Sequence, residues 1–546
     1  MQKFHSPLEA FLYWETNTPD LIFLKQPLKD KTVNYTYREA GIEARKMASA
    51  LKEMGFVAGD HIALMSKNCA HWIMADLAIM MVNCISIPIY PTLNADTIKL
   101  ILDHSESKGI IIGKLDNYES QKSGIPDIPK ISISLYGEND GMIWEDLVEK
   151  NTPLEDMPSK NSEDLHTIIY TSGTTGRPKG VMHTVGNFME STHVFPELFK
   201  IPNHLRMFSY LPLAHVAERL IFNTGISLGA TVYFTHSLET FAKDLEDAQP
   251  HLFFAVPRIW TKFREKILEA IPQKKLKTLL KIPILNTIIK SKLQKKLGLK
   301  EARFICSAAA PLSSDVIIWF KKIGLIICQG YGMTEDGCVS HFNLPDANKI
   351  GTVGKTVPGA KVKLSSEGEI CIKNNCLMKG YFKEPEMTAS VFDDEGYLKT
   401  GDMGELDHDG YLTITGRIKD QFKTDKGKYI SPSYMELLAS KNTNIEQICI
   451  VGTGIPQPIA LVTLSGLGEA LTKDALCASL EETIGNINEE VEKHEKIEKV
   501  VVMKEDWNVD NGLTTASLKI KRNAIERIHQ PYYKQWFEGS DKVIFE

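Results

Sequence analysis

Two short apolar runs enclose a helical one near the start of the chain, and that order restricts the fold more than any other feature. HIALMS, from His61 to Ser66, and CISIPIY, from Cys84 to Tyr90, read as strands, and the apolar stretch from Trp72 to Val82 between them reads as a helix. A strand, helix and strand in succession favours parallel pairing through a right-handed crossover, and so a doubly wound α/β sheet. The whole stretch from Trp72 to Ile89 carries Asp76 and Asn83 and runs into Pro88 and Pro91, which suits a buried helix and strand and not a bilayer span. The same grammar returns in TVYF from Thr231, HLFFAVP from His251, RFICS from Arg303 and LIICQG from Leu325, each meeting a Gly-rich or polar turn. In such sheets ligands gather beyond the strand ends. Before these elements, Thr36 and Glu39 have the spacing of a capping box, and Met47, Ala50, Leu51 and Met54 continue a helix that Gly55 can stop.

From Lys361 the pattern changes to shorter strands with charged turns: KVKL, GEICIK and GYLTITGR. A Lys- and Gly-rich segment, DQFKTDKGKYISP, follows, and then a small α/β region with EQICIVG, PIALVTL, a helix near Leu471 to Ile484, and KVVVMK. This division predicts one domain over residues 1–418 and a second over 419–546, with the boundary at Lys419. The 546-residue length agrees with more than one compact core.

Charge excludes one class of partner. With 63 Lys and Arg against 69 Asp and Glu, the net charge is −6, without a long basic or acidic tail, so nucleic acid is not expected as the main partner. The N-terminal MQKFHSPLEAFLYWE lacks the apolar core of a secretory signal. Nine scattered cysteines suit reduced, buried thiols, and Cys371 and Cys376, the nearest pair, are spaced too widely for a zinc knuckle. A cytoplasmic protein is therefore expected. One segment departs from the even charge: residues 271–300 contain nine lysines and no acid. From Ile284, Leu285, Ile288, Ile289, Leu293 and Leu297 fall on one side at helical spacing, with Lys290, Lys292, Lys295 and Lys296 elsewhere. Two readings stand, a solvated helix packed on the core and an amphipathic helix in peripheral contact with an anionic membrane on its inner face.

The chemistry begins with YTSGTTGRPKG, from Tyr170 to Gly180, after the strand-like TIIY. Glycines and small hydroxyls at this density let backbone N–H groups and Ser or Thr hydroxyls surround phosphate oxygens, and Lys179 supplies the compensating charge. A Walker A loop needs Gly-Lys-Ser/Thr, whereas Lys179 stands between Pro178 and Gly180. Within QGYGMTE, Glu335 is the hard oxygen donor that a Mg²⁺ on ATP phosphates prefers, Thr334 offers a hydroxyl to the α-phosphate and Tyr331 a face for a purine. Asp402 and Arg417 are complementary by role, a carboxylate for ribose hydroxyls and a guanidinium donating to the same sugar, although a plain salt bridge also fits.

These blocks together resemble the adenylate-forming superfamily of acyl-CoA synthetases, luciferases and peptide-synthetase adenylation domains. The signature loop at 170–180 is followed in the family's order by CSAAAPLS from Cys306, QGYGMTE from Gln329, YLKTGD from Tyr397, GRIKDQFK from Gly416 and LTTASLKIKR from Leu513. The resemblance implies a large N-terminal domain with doubly wound sheets and a small distorted barrel, plus a small mobile α/β C-terminal domain. It implies nucleotide binding by Thr171, Ser172, Gly173, Thr174, Thr175, Gly176, Ala309, Tyr331, Asp402 and Arg417, metal binding by Glu335, and catalytic roles for Thr334, Lys179 and Lys519. Lys519 lies in Ser517-Leu518-Lys519 where the family has Ser-Gly-Lys, which leaves Lys521 as the alternative. The family hinge falls on Lys419 and the glycine presented to the thiol falls on Gly427.

The LTxxxLKxKR form, LPLAHVAER from Leu211, AVPRIW from Ala255 and FKTDKGKYISP from Phe422 look like the long-chain fatty acyl-CoA synthetase branch. In that branch His215 is an active-site imidazole, the alternative being a core histidine. The implied activity uses ATP, Mg²⁺ and CoA to convert a fatty acid into an acyl adenylate and then acyl-CoA, AMP and pyrophosphate. An acyl-AMP ligase that loads a separate carrier protein, or a ligase for another carboxylic acid, are the competing readings.

Overall fold

The computed structural model describes residues 2–172, 178–509, 511–515 and 519–546. The predicted strand, helix and strand form as His61–Met65, Ala70–Met81 and Ile85–Ile89, and the strands pair in parallel with His61 opposite Ile85 and Met65 opposite Ile89. The helix is buried along its entire length, which explains why its sequence is apolar on all sides. Helix Tyr37–Glu53 begins with the expected capping box, both of its hydrogen bonds being present.

Two large mixed sheets result. An eight-stranded sheet is built around the parallel strands at 61–65, 85–89 and 109–112, with an antiparallel pair, Leu165–Ser172 and Pro178–Thr184, at one side. A nine-stranded sheet has parallel strands Arg206–Ser209, Thr231–Phe234, Leu252–Ala255, Phe304–Ser307 and Cys328–Tyr331 at its centre and antiparallel strands at both edges. Antiparallel edges are the part that the strand-helix-strand pattern did not foretell. The small layer expected as a barrel is a four-stranded antiparallel sheet of Lys361–Leu364, Glu369–Lys373, Leu398–Leu406 and Leu412–Arg417. The C-terminal region has its own four-stranded mixed sheet and its own core around Ile450, Val462, Leu480 and Val500. Its long helix runs from Lys473 to Glu490, six residues further than the sequence pattern marks it.

The two large sheets are joined by a buried arginine. Arg219, on helix Val216–Ser227, donates from Nη2 to both oxygens of Asp76 at 3.1 and 2.9 Å, and from Nη1 to Ser86 Oγ at 3.2 Å and Thr167 Oγ1 at 3.3 Å. Its guanidinium also lies over the Trp72 ring. Asp76, the charge that interrupts the most apolar stretch of the chain, is thereby accounted for: it neutralises this cation.

The basic segment at 271–300 corrects one expectation. It forms helices Gln273–Leu279 and Pro283–Lys296, but the apolar residues of the second do not share one fate. Ile289, Leu293 and Leu297 pack on the core around Trp260, Trp319 and Phe320, whereas Ile284, Leu285 and Ile288 are exposed, because the first turns of this helix project beyond the layer that its later turns cover.

Candidate active site

The antiparallel pair at 165–184 sets Thr171 opposite Lys179. Gly173, Thr174, Thr175 and Gly176 lie outside the described residues, as does the side chain of Ser172. The anchors on either side are clear. Lys179 places its Nζ 5.1 Å from the centre of the Tyr381 ring. Tyr381 belongs to a two-residue strand paired to Val181, and its hydroxyl donates to Glu335 Oε1 at 2.8 Å. One tyrosine thus lies against the lysine and carboxylate that sequence reasoning selected separately.

Glu335 sits in a single 3₁₀ turn, Thr334–Asp336, beyond strand Cys328–Tyr331. His183 Nε2 meets the Thr334 carbonyl at 2.9 Å, and Asp336 accepts from the Met333 N–H at 2.8 Å. Burial pushes the Asp336 carboxyl up to about 7, which marks it as an internal brace. Gly337 ends the turn at φ +66°, and a Cβ there would meet Ser191 Oγ at 2.2 Å, so the turn requires glycine. Across the cleft, Asp402 and Arg417 are direct partners on adjacent strands. Arg417 Nε donates to Asp402 Oδ1 at 2.7 Å, and the Tyr331 hydroxyl donates to Oδ2 at 2.7 Å. The Asp402 charge pushes the Arg417 pKa up, and burial, then Asp402, pushes the Tyr331 phenol well above its usual value. Ala309, on the turn after strand Phe304–Ser307, has φ +71°, a left-handed backbone that a residue with a Cβ adopts at a cost of about 1 kcal/mol. Beside it the Ser307 hydroxyl is buried and unpartnered.

His215 stands at the N-cap of helix Val216–Ser227, its Nδ1 accepting from the Ala217 N–H at 3.1 Å. Burial, with the Lys519 charge second, lowers its pKa to about 4, so the imidazole is neutral at pH 7. The approach to His215 is fixed by Asn68 of the other large sheet's strand-end loop. Its amide donates to Ser209 Oγ at 2.8 Å and the Leu211 carbonyl at 2.6 Å, and its Oδ1 accepts from the Leu213 N–H at 3.1 Å. Glu218, one helical turn on, accepts from Ser209 Oγ at 2.6 Å, and burial raises its pKa to about 8.

Lys519 comes from the C-terminal region. The Thr515 N–H donates to the Lys519 carbonyl at 2.7 Å, and an antiparallel bridge joins Thr514 to Ile520. Much of the residue is accessible, but its ammonium end enters the crowded cleft within electrostatic reach of Arg417, Asp402, Cys338 and His215. Burial first, and Arg417 second, lower its pKa to about 8. Lys521 instead occupies the position preceding helix Arg522–His529. Gly427, at φ +77°, is exposed in the turn between Phe422–Lys423 and Tyr429–Ile430, and Lys419 is exposed in the 3₁₀ turn Ile418–Asp420.

The cleft therefore joins Lys179, Tyr381 and Glu335 at one end to Tyr331, Asp402, Arg417, Lys519 and His215 at the other. Such a row of cations and donors suits a polyanion with a sugar attached. The Glu335 carboxylate is a hard oxygen donor of the kind that Mg²⁺ takes, and it stands at the phosphate end of this row. Tyr381 and Asn68 escaped the sequence reading. The only available clue was that Tyr381 lies in the glycine-flanked MKGYF.

Comparisons with known proteins bear on the family and the fold. The AMP-binding enzyme family matches residues 11–382, and the AMP-binding enzyme C-terminal domain matches residues 419–539. A long-chain-fatty-acid–CoA ligase, FadD15, of Mycobacterium bovis is 27% identical, with 95% of each chain covered. Long-chain-fatty-acid–CoA ligase 5 of Rattus norvegicus is 28% identical over 93% of this chain and 84% of its own. Among solved structures, the adenylation domain of a carboxylate reductase from Mycobacterium chelonae superposes with a TM-score of 0.83 at 20% identity, covering 98% of this chain and 91% of that one, a likeness of fold. With a cleft of this composition, blocks in this order and a match over more than half its length, the chain belongs to the AMP-binding enzyme family.

Proposed function

We propose that the protein is a long-chain fatty acid–CoA ligase, which joins a fatty acid to AMP from ATP and then passes the acyl group to CoA. The observation that carries this reading is the hydrogen-bonded set of Tyr331, Asp402 and Arg417, with Lys519 of the C-terminal region within electrostatic reach of it. The names of its relatives, long-chain-fatty-acid–CoA ligases matched across nearly their whole length, support the choice of acid and acceptor.

A fatty acid is ionised at neutral pH, so the nucleophile needs no general base, and the barrier is repulsion between carboxylate and triphosphate. Asp402 and Arg417 hold the ribose, with Tyr331 fixing the Asp402 oxygen that Arg417 leaves. Lys519 lies between carboxylate and α-phosphate, and Thr334 donates to the same phosphate. Lys179, steadied over Tyr381, takes charge on the departing pyrophosphate. Glu335 would hold Mg²⁺, which when bound offsets triphosphate charge. His215, neutral and oriented by the Ala217 N–H at its Nδ1, lies between acyl and phosphate positions as a hydrogen-bonding group without net charge.

The second half-reaction needs the C-terminal domain, 419–546, to turn about Lys419, withdrawing Lys519 and bringing Gly427 to the cleft. The CoA thiol then displaces AMP from the acyl adenylate. Among the described residues no helix is long and apolar enough to cross a membrane. For an enzyme whose substrate partitions into lipid we place it in the cytoplasm, peripherally at the inner face of a membrane.

The test is a panel of saturated acids assayed for AMP release with CoA and, separately, with a purified acyl carrier protein. Thioester formation on CoA with a maximum at long chains is expected. Thioester only on the carrier, or a maximum with aromatic or short acids, overturns the proposal.

A further inference from the structure

The helical hairpin at 271–300 is held to the body by one face and leaves the other bare. Leu276 is buried, Ile289, Leu293 and Leu297 pack on the core, Trp319 Nε1 donates to Gln273 Oε1 at 2.9 Å, and Gln294 Nε2 donates to the Ile323 carbonyl at 2.9 Å. The tip carries four exposed aliphatic side chains within seven residues: Ile282 at 44% exposure, Ile284 at 77%, Leu285 at 37% and Ile288 at 45%. Single exposed aliphatics are ordinary, but a group at one protruding corner is not. Lysines flank it on both sides, Lys274, Lys275, Lys277 and Lys281 before and Lys290, Lys292, Lys295 and Lys296 after. Among the described residues only Lys296 has a carboxylate partner, Glu246 at 3.0 Å. A face meant for water alone would pair some of the others with acids, and none occurs in the segment.

We infer that this hairpin tip is the membrane-docking element of the enzyme: Ile282, Ile284, Leu285 and Ile288 enter the boundary between headgroups and acyl chains of an anionic leaflet, and the flanking lysines bind its headgroups. Apolar side chains projecting from a rigid corner and ringed by long cationic ones match the two-part chemistry of that boundary, since lysine stems can lie along the chains while their ammonium groups remain at the phosphates. Charge complementarity singles out the anionic leaflet among apolar occupants. The inference deepens the placement at a membrane given above, and it stands apart from the chemistry of the cleft, none of whose residues lies in 271–300.

The full chain should co-sediment with vesicles of phosphatidylcholine doped with phosphatidylglycerol at low salt, leave them at high salt, and bind phosphatidylcholine alone weakly. Changing Lys274, Lys275, Lys290 and Lys292 together to Gln should weaken binding to the doped vesicles by about tenfold or more. Ile282, Ile284, Leu285 and Ile288 changed together to Ser should also weaken it, and Ile284→Trp should shift its emission to the blue on vesicle addition. Both multiple variants should retain turnover of a soluble acid. Absence of binding at low salt, or binding that neither variant weakens, overturns the inference. Self-association abolished by the Ser variant, without vesicle binding, would assign the face to a second copy and overturn it as well. Loss of the fatty acid reading would appear separately, in the AMP-release panel.

Discussion

The molecule has two joints built from arginine and carboxylate, and they differ in their access to water. Between the two large sheets, Arg219 is 1% and Asp76 8% exposed, with Ser86, Thr167 and Trp72 completing the enclosure. Between the N-terminal body and the C-terminal region, Glu446 takes Arg258 at 2.8 Å and Lys262 at 2.6 Å; its carboxylate is 10% exposed, much like Asp76, but its cations are 43% and 38% exposed. A buried charge that loses its partner is left uncompensated, whereas an exposed cation loses little and is rehydrated. The first joint therefore locks two layers into one body, and the second is held by cations that water can take over, as the proposed reorientation requires.

The greatest damage should follow Asp76→Ala, which strands Arg219: a loss of about 3–5 kcal/mol is expected in denaturant unfolding of the large domain. A loss below about 1 kcal/mol would mean that the sheets are held by apolar packing alone and would erase the contrast.

Next in size, Lys519→Ala should slow acyl-adenylate formation by about 3 kcal/mol of barrier, as for other preorganised donors. Thioester formation from supplied acyl-AMP and CoA should be nearly unaffected if, as proposed, the lysine serves one orientation only. Its pKa of about 8 gives this a pH signature. The charged form is present below that value, so the rate of the first half-reaction should fall as pH rises through about 8, while Lys519→Arg should carry activity to higher pH. Equal loss in both half-reactions would remove the reorientation from the mechanism, and a larger effect of Lys521→Ala would move the catalytic lysine.

Lys419→Pro addresses the turn about which reorientation is proposed. Fixing φ there should leave adenylation in place and reduce transfer to CoA by roughly tenfold or more, seen as acyl-AMP that accumulates on the enzyme. Normal transfer would place the pivot elsewhere. Glu446→Gln should have the smallest effect. Neutralising Glu446 leaves two partly exposed cations that water can rehydrate, worth about 1 kcal/mol, so the ratio of transfer to adenylation rates should rise a few-fold without loss of thermal stability in the large domain. A fall in that ratio would mean that Glu446 serves the second orientation rather than the first.

The sequence was readable where local chemistry and final structure demand the same thing. Thr36 and Glu39 form their capping box because both partners lie within one turn, and the parallel pair at 61–65 and 85–89 follows from the helix that separates it. Asp402 and Arg417 were legible as a pair because one hairpin makes them neighbours. Tyr381 was not, since its role depends on a two-residue strand that joins Val181 from some two hundred positions earlier. Asn68 was hidden for the same reason, as its partners lie at 209–213. In the basic hairpin, helical periodicity identified an apolar stripe but carries no information about where the supporting layer ends, so it could not separate Ile284, Leu285 and Ile288 from Ile289, Leu293 and Leu297.

The Tyr381 ring has a consequence for the spacing of charge in the cleft. Lys179 rests on its face and Glu335 receives its hydroxyl, so the distance between a positive group on a strand and a negative one in a 3₁₀ turn is gauged by the width of a single phenol. Any displacement of the short strand Gly380–Tyr381 carries both contacts with it. The separation is a dimension of one rigid side chain, and the strand and the turn inherit it.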